Sequence, residues 1–356
     1  MSRGEDDIRA LLRAARSVAG DPALREAVVE ASGLSRAGVD LAFDRHLELD
    51  ATDVDLARLL QRAGSAEAVF VVLSSNVFVG ALRALALARA AAPEVVVRPS
   101  RRDPAFARAL VAAVGSDRLR LDESLDFAAV TRGELHVYGT DDTIADVRAR
   151  AKVPVRGHGA GMGVVWISKR ASPAEAARLV ADDVVVFDQR GCLSPRIVLV
   201  EHEDAVAVTV GGGRNADAFA EALHAELEER ERTVPRGQLS AEERAASDRY
   251  VATMTYACRA LVGAAHAIGI APAGAPLVPA PAYRHVHVVA GVATEDAARA
   301  VLTPLAKAIT GVGSDDLEAA KRIAPSWARL ASLGAMQRPP LDGPVDLRDP
   351  YAISSC

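Results

Sequence analysis

The feature that most constrains this chain is a series of short apolar runs, each of strand length, that alternate with helical patterns. Residues 68–73 (AVFVVL) are continuously apolar, which is typical of a strand buried on both faces. A helical pattern over residues 79–91 comes next, Pro93 ends it, and residues 94–98 form a second apolar run. This strand–helix–strand order predicts a parallel sheet with helices on its faces, and therefore an α/β fold.

The same alternation continues along most of the chain. Ser172 with Glu175, and Ser240 with Glu243, have the spacing of capping boxes, and Asp103 before a proline predicts another helix start. We expect the helix that starts at Ser240 to reach about residue 267. Further strands are predicted at residues 134–138, 153–156, 163–167, 196–201, 205–210 and 285–290.

The first 66 residues have a different pattern. Apolar residues such as Ile8 and Leu11, and later Leu56 and Leu59, fall at helical spacing, which predicts short amphipathic helices packed on the first α/β domain. We therefore predict two doubly wound α/β domains, at residues 67–168 and 169–333. A helical N-terminal segment (1–66) precedes them, and a mostly irregular C-terminal tail (334–356) ends the chain.

Composition excludes several classes of protein. A formal net charge of -5 argues against a nucleic-acid partner, because phosphate contact needs a surplus of clustered Lys and Arg. No apolar run is long enough to cross a bilayer, and the charged N-terminus lacks the apolar core of a signal peptide. Cys192, Cys258 and Cys356 are an odd, widely spaced set, which predicts free thiols and a cytoplasmic location.

Cys192 is the first candidate for chemistry. It lies in a polar turn between a predicted helix and a predicted strand, where α/β proteins place reactive groups. Beside Arg190 and exposed backbone N–H groups, its thiol could have a lowered pKa and attack carbonyl groups as the thiolate. The alternative is a small buried filler. Cys258, inside an apolar helical pattern, is interpreted as a core residue.

Two polar segments come directly after the first two predicted strands. Asn76 could donate its amide to a developing oxyanion, although Ser and Asn are also ordinary turn residues. Arg98 and Ser100 belong to a segment with three arginines, which suits a phosphate group such as a ribose 2′-phosphate. A solvated charged loop is the alternative.

Glycines and histidines give weaker signals. Gly139 with Thr140, and Gly159 with Gly161, come after strands and could allow close backbone approach to a dinucleotide, although the standard Rossmann fingerprint is absent. His285 and His287 share a strand face without a third ligand nearby in the sequence. We therefore predict a half-exposed strand face there and no metal site.

The order and spacing of these segments are more informative than any one of them. From about residue 68 to 349 the sequence resembles the aldehyde dehydrogenase superfamily, and within it the LuxC-like acyl-CoA reductases. The strongest piece is Phe187-Asp-Gln-Arg-Gly-Cys192-Leu-Ser-Pro195 with the strand after it. The supporting pieces are Ser75-Asn76-Val77, Val97-Arg98-Pro99-Ser100, Tyr138-Gly139-Thr140-Asp141, His158-Gly159-Ala160-Gly161 and Leu333 to Pro340.

The resemblance implies a function and roles for these residues. It implies an NAD(P)-binding domain at 67–168, a catalytic domain at 169–333, Cys192 as the nucleophile and Asn76 as the oxyanion donor. It implies that Arg98, Ser100 and the glycine segments hold the cofactor, and that the chain forms a homo-oligomer. Arg98 replaces the superfamily's usual lysine, which favours NADPH, with NADH as the alternative.

His158 replaces the glutamate that activates water in aldehyde-oxidising members. Its presence suits an enzyme whose acyl thioester must survive, and its imidazole could transfer protons or be purely structural. We therefore predict NAD(P)H-dependent reduction of an acyl-CoA, or of another activated acyl donor, to an aldehyde. The alternatives are an aldehyde dehydrogenase, an acyl-phosphate reductase and an inactive nucleotide-binding member.

Overall fold

The structure is a computed structural model that describes residues 3–202 and 214–352. The chain folds into two compact units, Met1–Ala160 with Arg338–Cys356, and Gly161–Gln337. The predicted strand at 205–210 and Cys356 lie outside the described residues.

The first unit contains seven helices and five strands among its described residues. The helices are α1 (Arg3–Ala19), α2 (Pro22–Ser32), α3 (Arg36–Arg45), α4 (Asp53–Ala63), α5 (Gly80–Ala91), α6 (Ala105–Val114) and α7 (Asp141–Arg150). The strands are β1 (Ala68–Val72), β2 (Glu94–Arg98), β3 (Leu119–Leu121), β4 (Glu134–Tyr138) and β5 (Val155–His158). They form one parallel sheet in the order β3-β2-β1-β4-β5.

The N-terminal helices cover this sheet's own helices. Helix α1 packs on α5 and α6, α4 packs on α5, and α2 packs on α6. Their contact faces are the predicted ones, since Ile8, Leu11, Leu56 and Leu59 are almost fully buried. Burying these side chains supplies the apolar stabilisation that short helices lack by themselves.

The second unit contains five helices and seven strands among its described residues. The helices are α8 (Pro173–Val185), α9 (Arg214–Thr233), α10 (Ala241–Ala257), α11 (Glu295–Leu302) and α12 (Leu317–Ile323). The strands are β6 (Met162–Ile167), β7 (Pro195–Glu201), β8 (Arg259–Val262), β9 (Ala267–Pro272), β10 (His285–Val292), β11 (Ile309–Ser314) and β12 (Arg329–Ser332). The sheet order is β12-β11-β6-β7-β10-β9-β8, and only the β8–β9 pair is antiparallel.

Three local predictions differ from the structure. Strand β6 pairs with β7 and β11 and so belongs to the second sheet, although its residues fall before the predicted boundary at 168. The helix that starts after Ser240 ends at Ala257, and an antiparallel pair, β8 with β9, replaces its predicted second half. The Asp103 side chain does not cap α6, because the helix begins at Ala105 without a side-chain cap.

The C-terminal segment is divided between the units. Leu333 to Gln337 stay with the second unit, where the buried carboxylate of Asp183 accepts the N–H groups of Gly334 (2.8 Å) and Met336 (2.9 Å). Residues from Arg338 onward belong to the first unit, where the buried guanidinium of Arg83 donates to the carbonyls of Pro339 and Pro340. The tail is therefore irregular but held by specific hydrogen bonds.

Candidate active site

Cys192 lies in a tightly built turn between α8 and β7. Phe187, Asp188 and Gln189 are three consecutive non-glycine residues with positive φ (54°, 49° and 63°). Such residues are strained by roughly 1–3 kcal/mol each and persist only where the surrounding structure holds them. Cys192 itself forms no disulfide and is half-buried.

The side chain of Gln189 closes this turn. It is fully buried, and its Nε2 donates to the carbonyls of Pro195 (2.6 Å) and His285 (2.7 Å). Its Oε1 accepts the N–H of His285 at 2.9 Å. Gln189 therefore joins the start of the Cys192 turn, the start of β7 and the start of β10 through three buried hydrogen bonds.

A buried ion pair holds the neighbouring residue. Both Asp188 and Arg284 are almost fully buried, and Arg284 Nη2 donates to Asp188 Oδ1 at 2.9 Å. The second carboxylate oxygen of Asp188 accepts the N–H of Gly237 at 2.9 Å. Removing one member of such a pair would leave an uncompensated buried charge, so the pair is strongly held together. Because Asp188 is itself one of the left-handed residues, the pair helps to hold this backbone conformation before Cys192.

Small residues on β6 and β11 let the Cys192 turn approach the sheet. A Cβ atom on Gly163 would lie 2.3 Å from the carbonyl oxygen of Leu193, and one on Gly311 would lie 2.7 Å from Leu193 Cδ2. Thr310 Oγ1 donates to the carbonyl of Cys192. The sequence pattern did not predict that Asp188, Gln189 and Thr310 support the Cys192 turn. The signals that could have suggested this role are the position of Asp188 and Gln189 within four residues of Cys192, and the position of Thr310 directly before Gly311.

The predicted cofactor residues of the first unit share one edge of its sheet. Because the strands are parallel, the segments after β1, β2, β4 and β5 leave from the same edge, and they carry Asn76, Ser100, Thr140 and Gly159. From β1 the chain adds β2 and β3 on one side of the sheet, and then β4 and β5 on the other side. Ligands of open α/β sheets bind at such a switch point, which here lies between β1 and β4. The Asn76 side chain is exposed there.

Arg98 lies in a positively charged environment at this edge. Its guanidinium stacks over the ring of Phe127 at 4.9 Å, and that of Arg150 lies over the same ring at 5.2 Å. Burial, followed by repulsion from Arg101 and Arg150, lowers the pKa of Arg98. No carboxylate forms an ion pair with Arg98 within residues 3–202 and 214–352. A bound anion would relieve this repulsion.

The other predicted cofactor residues have visible structural roles. The exposed Thr140 caps α7 by accepting the N–H of Thr143 (3.3 Å), and the N–H of Gly139 donates to the carbonyl of His158 (3.2 Å). A Cβ atom on Gly159 would lie 2.1 Å from Asp141 Oδ1. Gly161 is the first residue of the second unit. Ser100 accepts the N–H of Arg102 at 3.2 Å.

His158 is buried at the end of β5 and stacks on Tyr138, with ring centroids 4.5 Å apart. Burial, followed by the nearby His136, lowers the pKa of His158 to about 3. The imidazole is therefore neutral at pH 7, and it is a much weaker base than an ordinary histidine. Its Nε2 is buried without a hydrogen-bond partner in the described part of the chain. These surroundings favour the structural alternative for His158.

The histidine pair on β10 is not half-exposed, contrary to the prediction. His285 and His287 are 2% and 0% exposed, and burial lowers the pKa of each to about 4. The Tyr250 ring on α10 covers His285 edge-on, which the sequence pattern did not indicate. Cys258 ends α10 and is half-buried rather than central to the core.

Comparisons with known proteins agree with this architecture. Residues 39–339 match the family model described as acyl-CoA reductase (LuxC). No sequence among curated proteins matches the chain. No described helix is both long and apolar enough to span a membrane.

Similar solved structures include aldehyde dehydrogenases. Lactaldehyde dehydrogenase from Escherichia coli is 14% identical with a TM-score of 0.65, covering 94% of this chain and 78% of that chain. An NAD-dependent benzaldehyde dehydrogenase from Corynebacterium glutamicum is 14% identical with a TM-score of 0.66, covering 96% and 83%. A Mycobacterium tuberculosis aldehyde dehydrogenase complexed with NAD+ is 14% identical with a TM-score of 0.63, covering 94% and 78%. These identities show the fold alone, but the family match spans most of the chain. The chain therefore belongs to the LuxC acyl-CoA reductase family and is an oxidoreductase with the aldehyde dehydrogenase fold.

Proposed function

We propose that this protein reduces an acyl-CoA thioester to an aldehyde through an acyl-Cys192 intermediate, with NADPH as the preferred reductant. The observation that carries the proposal is the construction of the Cys192 turn. Three left-handed residues, a buried ion pair and the buried Gln189 hold a half-buried free thiol between a helix and a strand. Strain held this way is typical of a functional site.

The first proposed step is acyl transfer to the protein. The Cys192 thiolate attacks the thioester carbonyl, a new C–S bond forms, and the bond to coenzyme A breaks with release of its thiolate. The Asn76 amide and the backbone N–H of Cys192 stabilise the oxyanion, and removing one such donor costs about 3–4 kcal/mol of transition-state stabilisation. The neutral His158, beside Tyr138, leaves no carboxylate at that position to activate water against the thioester.

The residues of the first sheet's edge fit a nicotinamide cofactor. Arg98 and Arg150 lie over the Phe127 ring, Arg101 is near enough to repel Arg98, and these cations would hold a ribose phosphate together with Ser100, two residues after β2. The exposed Thr140 and the adjacent Gly139 would lie beside its diphosphate. The cofactor, when bound, supplies hydride for reduction of the acyl group. Collapse of the resulting thiohemiacetal then breaks its C–S bond, releases the aldehyde and regenerates the Cys192 thiolate.

We further propose a cytoplasmic location and assembly into homo-oligomers. The reaction needs Cys192 as a free thiol, which a reducing compartment maintains. Strand β8 is an edge strand with Val262 52% exposed, and an open edge with apolar side chains favours pairing with another copy. Multi-angle light scattering tests this assembly, and a monomer at micromolar concentration would contradict it.

Intact-protein mass spectrometry tests the reaction. We expect incubation with a panel of acyl-CoAs to add one acyl mass, and subsequent NADPH to remove it with release of aldehyde. The adduct should be absent in Cys192→Ala and retained in the matched control Cys258→Ala. No adduct with any acyl-CoA, or an adduct that persists in Cys192→Ala, would refute the covalent mechanism.

A further inference from the structure

The second unit contains a group of three metal-ligating side chains that the proposed reaction does not use. His224 and Glu228 lie one helical turn apart on the same face of α9, and His266 precedes β9. One donor atom from each residue lies within 4.8 Å of the donor atoms of the other two. Helix α9 and the β8–β9 pair thus bring together two nitrogens and one carboxylate oxygen from segments distant in the sequence.

The closest contacts within this group centre on His266. Its Nε2 shares a 2.9 Å hydrogen bond with His224 Nδ1, and its Nδ1 lies 3.9 Å from Glu228 Oε1. One of these two nitrogens would bind an ion, which would replace the hydrogen bond between the imidazoles. The His266 ring and the Glu228 carboxylate both lie next to Gly263. A Cβ atom at that position would lie 2.2 Å from the His266 ring and 2.3 Å from Glu228 Oε1.

The properties of the three side chains suit a cation. His266 is 3% exposed, and a neutral imidazole offers a nitrogen lone pair to a metal ion. Glu228 is 40% exposed as a side chain, and a carboxylate oxygen is an ordinary zinc ligand. Arg236 and Arg284 also face His266 and oppose a cation, but Arg284 is paired with Asp188 and Glu231.

We propose that His224, Glu228 and His266 bind one divalent transition-metal ion, with zinc as the best-matched ion. Two imidazoles and one carboxylate are typical zinc ligands, and a water molecule would complete a tetrahedral site. The ion would tie α9 to the β8–β9 pair, whose strand β8 lies at the edge of the sheet. The site is separate in composition from Cys192 and needs neither the acyl donor nor the cofactor.

Calorimetric titration of the full chain with Zn²⁺, after removal of bound metal with a chelator, tests the proposal. We expect one ion per chain and at least about 100-fold weaker binding in His224→Ala, since even changes to the partners of a ligand cost about 10–100-fold. The matched control Glu229→Gln, on the same helix, should bind as the wild type does. Cys192→Ala should also bind normally, which separates this site from thiol binding.

A second readout guards against loss of folding. Co²⁺ in place of Zn²⁺ should give the visible spectrum of a tetrahedral N/O site in the wild type and lose it in Glu228→Gln, a conservative change of a partly exposed residue. Absence of stoichiometric binding by the wild type would overturn the proposal. So would equal affinity in the wild type and His224→Ala, since that would indicate adventitious binding elsewhere.

Discussion

Replacing Gln189 with methionine would test how the Cys192 turn is held. Methionine has a similar length and volume, so the substitution removes the hydrogen bonds of Gln189 while largely preserving packing. Three backbone groups then lose their partners: the carbonyls of Pro195 and His285, and the N–H of His285. All three contacts are buried, so water cannot replace the lost partners without opening the turn.

The size of the effect can be worked out from this count. A buried polar group left without its hydrogen bond costs about 1–3 kcal/mol, so for three such groups we expect Gln189→Met to lower the free energy of unfolding by roughly 3–9 kcal/mol. Without these bonds the left-handed residues before Cys192 can relax, because the side chain that joins the turn to both β7 and β10 is gone. We therefore also expect the rate of Cys192 acylation to fall at least about tenfold, or about 1.4 kcal/mol in barrier.

Tryptophan fluorescence during urea unfolding provides the first measurement, since Trp166 and Trp327 both lie in the second unit. Leu302→Ala is the control for stability. It empties a buried position on α11 and should cost about 2–5 kcal/mol without slowing acylation. If Gln189→Met unfolds within about 1 kcal/mol of the wild type, the hydrogen bonds do not stabilise the turn. If it acylates at the wild-type rate, Gln189 does not position Cys192.

Three further predictions concern other residues. His158→Gln should keep the acylation rate within about threefold from pH 6 to 8, measured by quenched-flow mass spectrometry, whereas loss of a general acid–base would cost about 10²–10⁴-fold. Arg98→Ala should weaken NADPH binding at least about tenfold in fluorescence titration and affect NADH less, because a charge-assisted contact to the extra phosphate is lost; equal weakening of both would contradict the phosphate role. The free energy of unfolding should fall as the pH drops below about 6.5, because five buried histidines have lowered pKa values in the folded state and take up protons on unfolding. These are His136, His158, His266, His285 and His287. Asp103 and Asp183, whose pKa values burial raises to about 6 and about 7, oppose the trend by releasing protons on unfolding. Near pH 5 the net uptake of at least about two protons gives a slope of roughly 3 kcal/mol per pH unit or more, and urea unfolding that is independent of pH between about 4.5 and 6 would refute it.

Several elements were predictable because their signals are local. A strand buried on both faces is typically apolar throughout, so residues 68–73 mark β1 within one residue of its observed end, and the predicted strand at 134–138 coincides with β4. Ser172 caps α8 as predicted, since a capping hydroxyl acts within one turn of chain. The family resemblance carried by the Cys192 segment is likewise a property of consecutive residues, and the family match confirmed it.

The failures arise where neighbours in space outweigh neighbours in sequence. Residues 258–267 continue the apolar helical pattern of α10. In the structure, however, Arg259–Val262 form the edge strand β8, which pairs antiparallel with β9. Burial of His285 depends on Tyr250, which comes from a different element. Neither effect leaves a periodic signal near the affected residues.

The sequence by itself determined the α/β class, the order of most elements and the family to which the chain belongs. Only the tertiary structure decided what surrounds the reactive residues. Gln189 meets His285 96 residues away, and Thr310 meets Cys192 118 residues away. The place of β6 in the second unit and the division of the C-terminal segment between the two units likewise depend on strand pairing and long-range hydrogen bonds. Such contacts form only when distant segments are packed together, so hydrophobic periodicity and capping patterns cannot predict them.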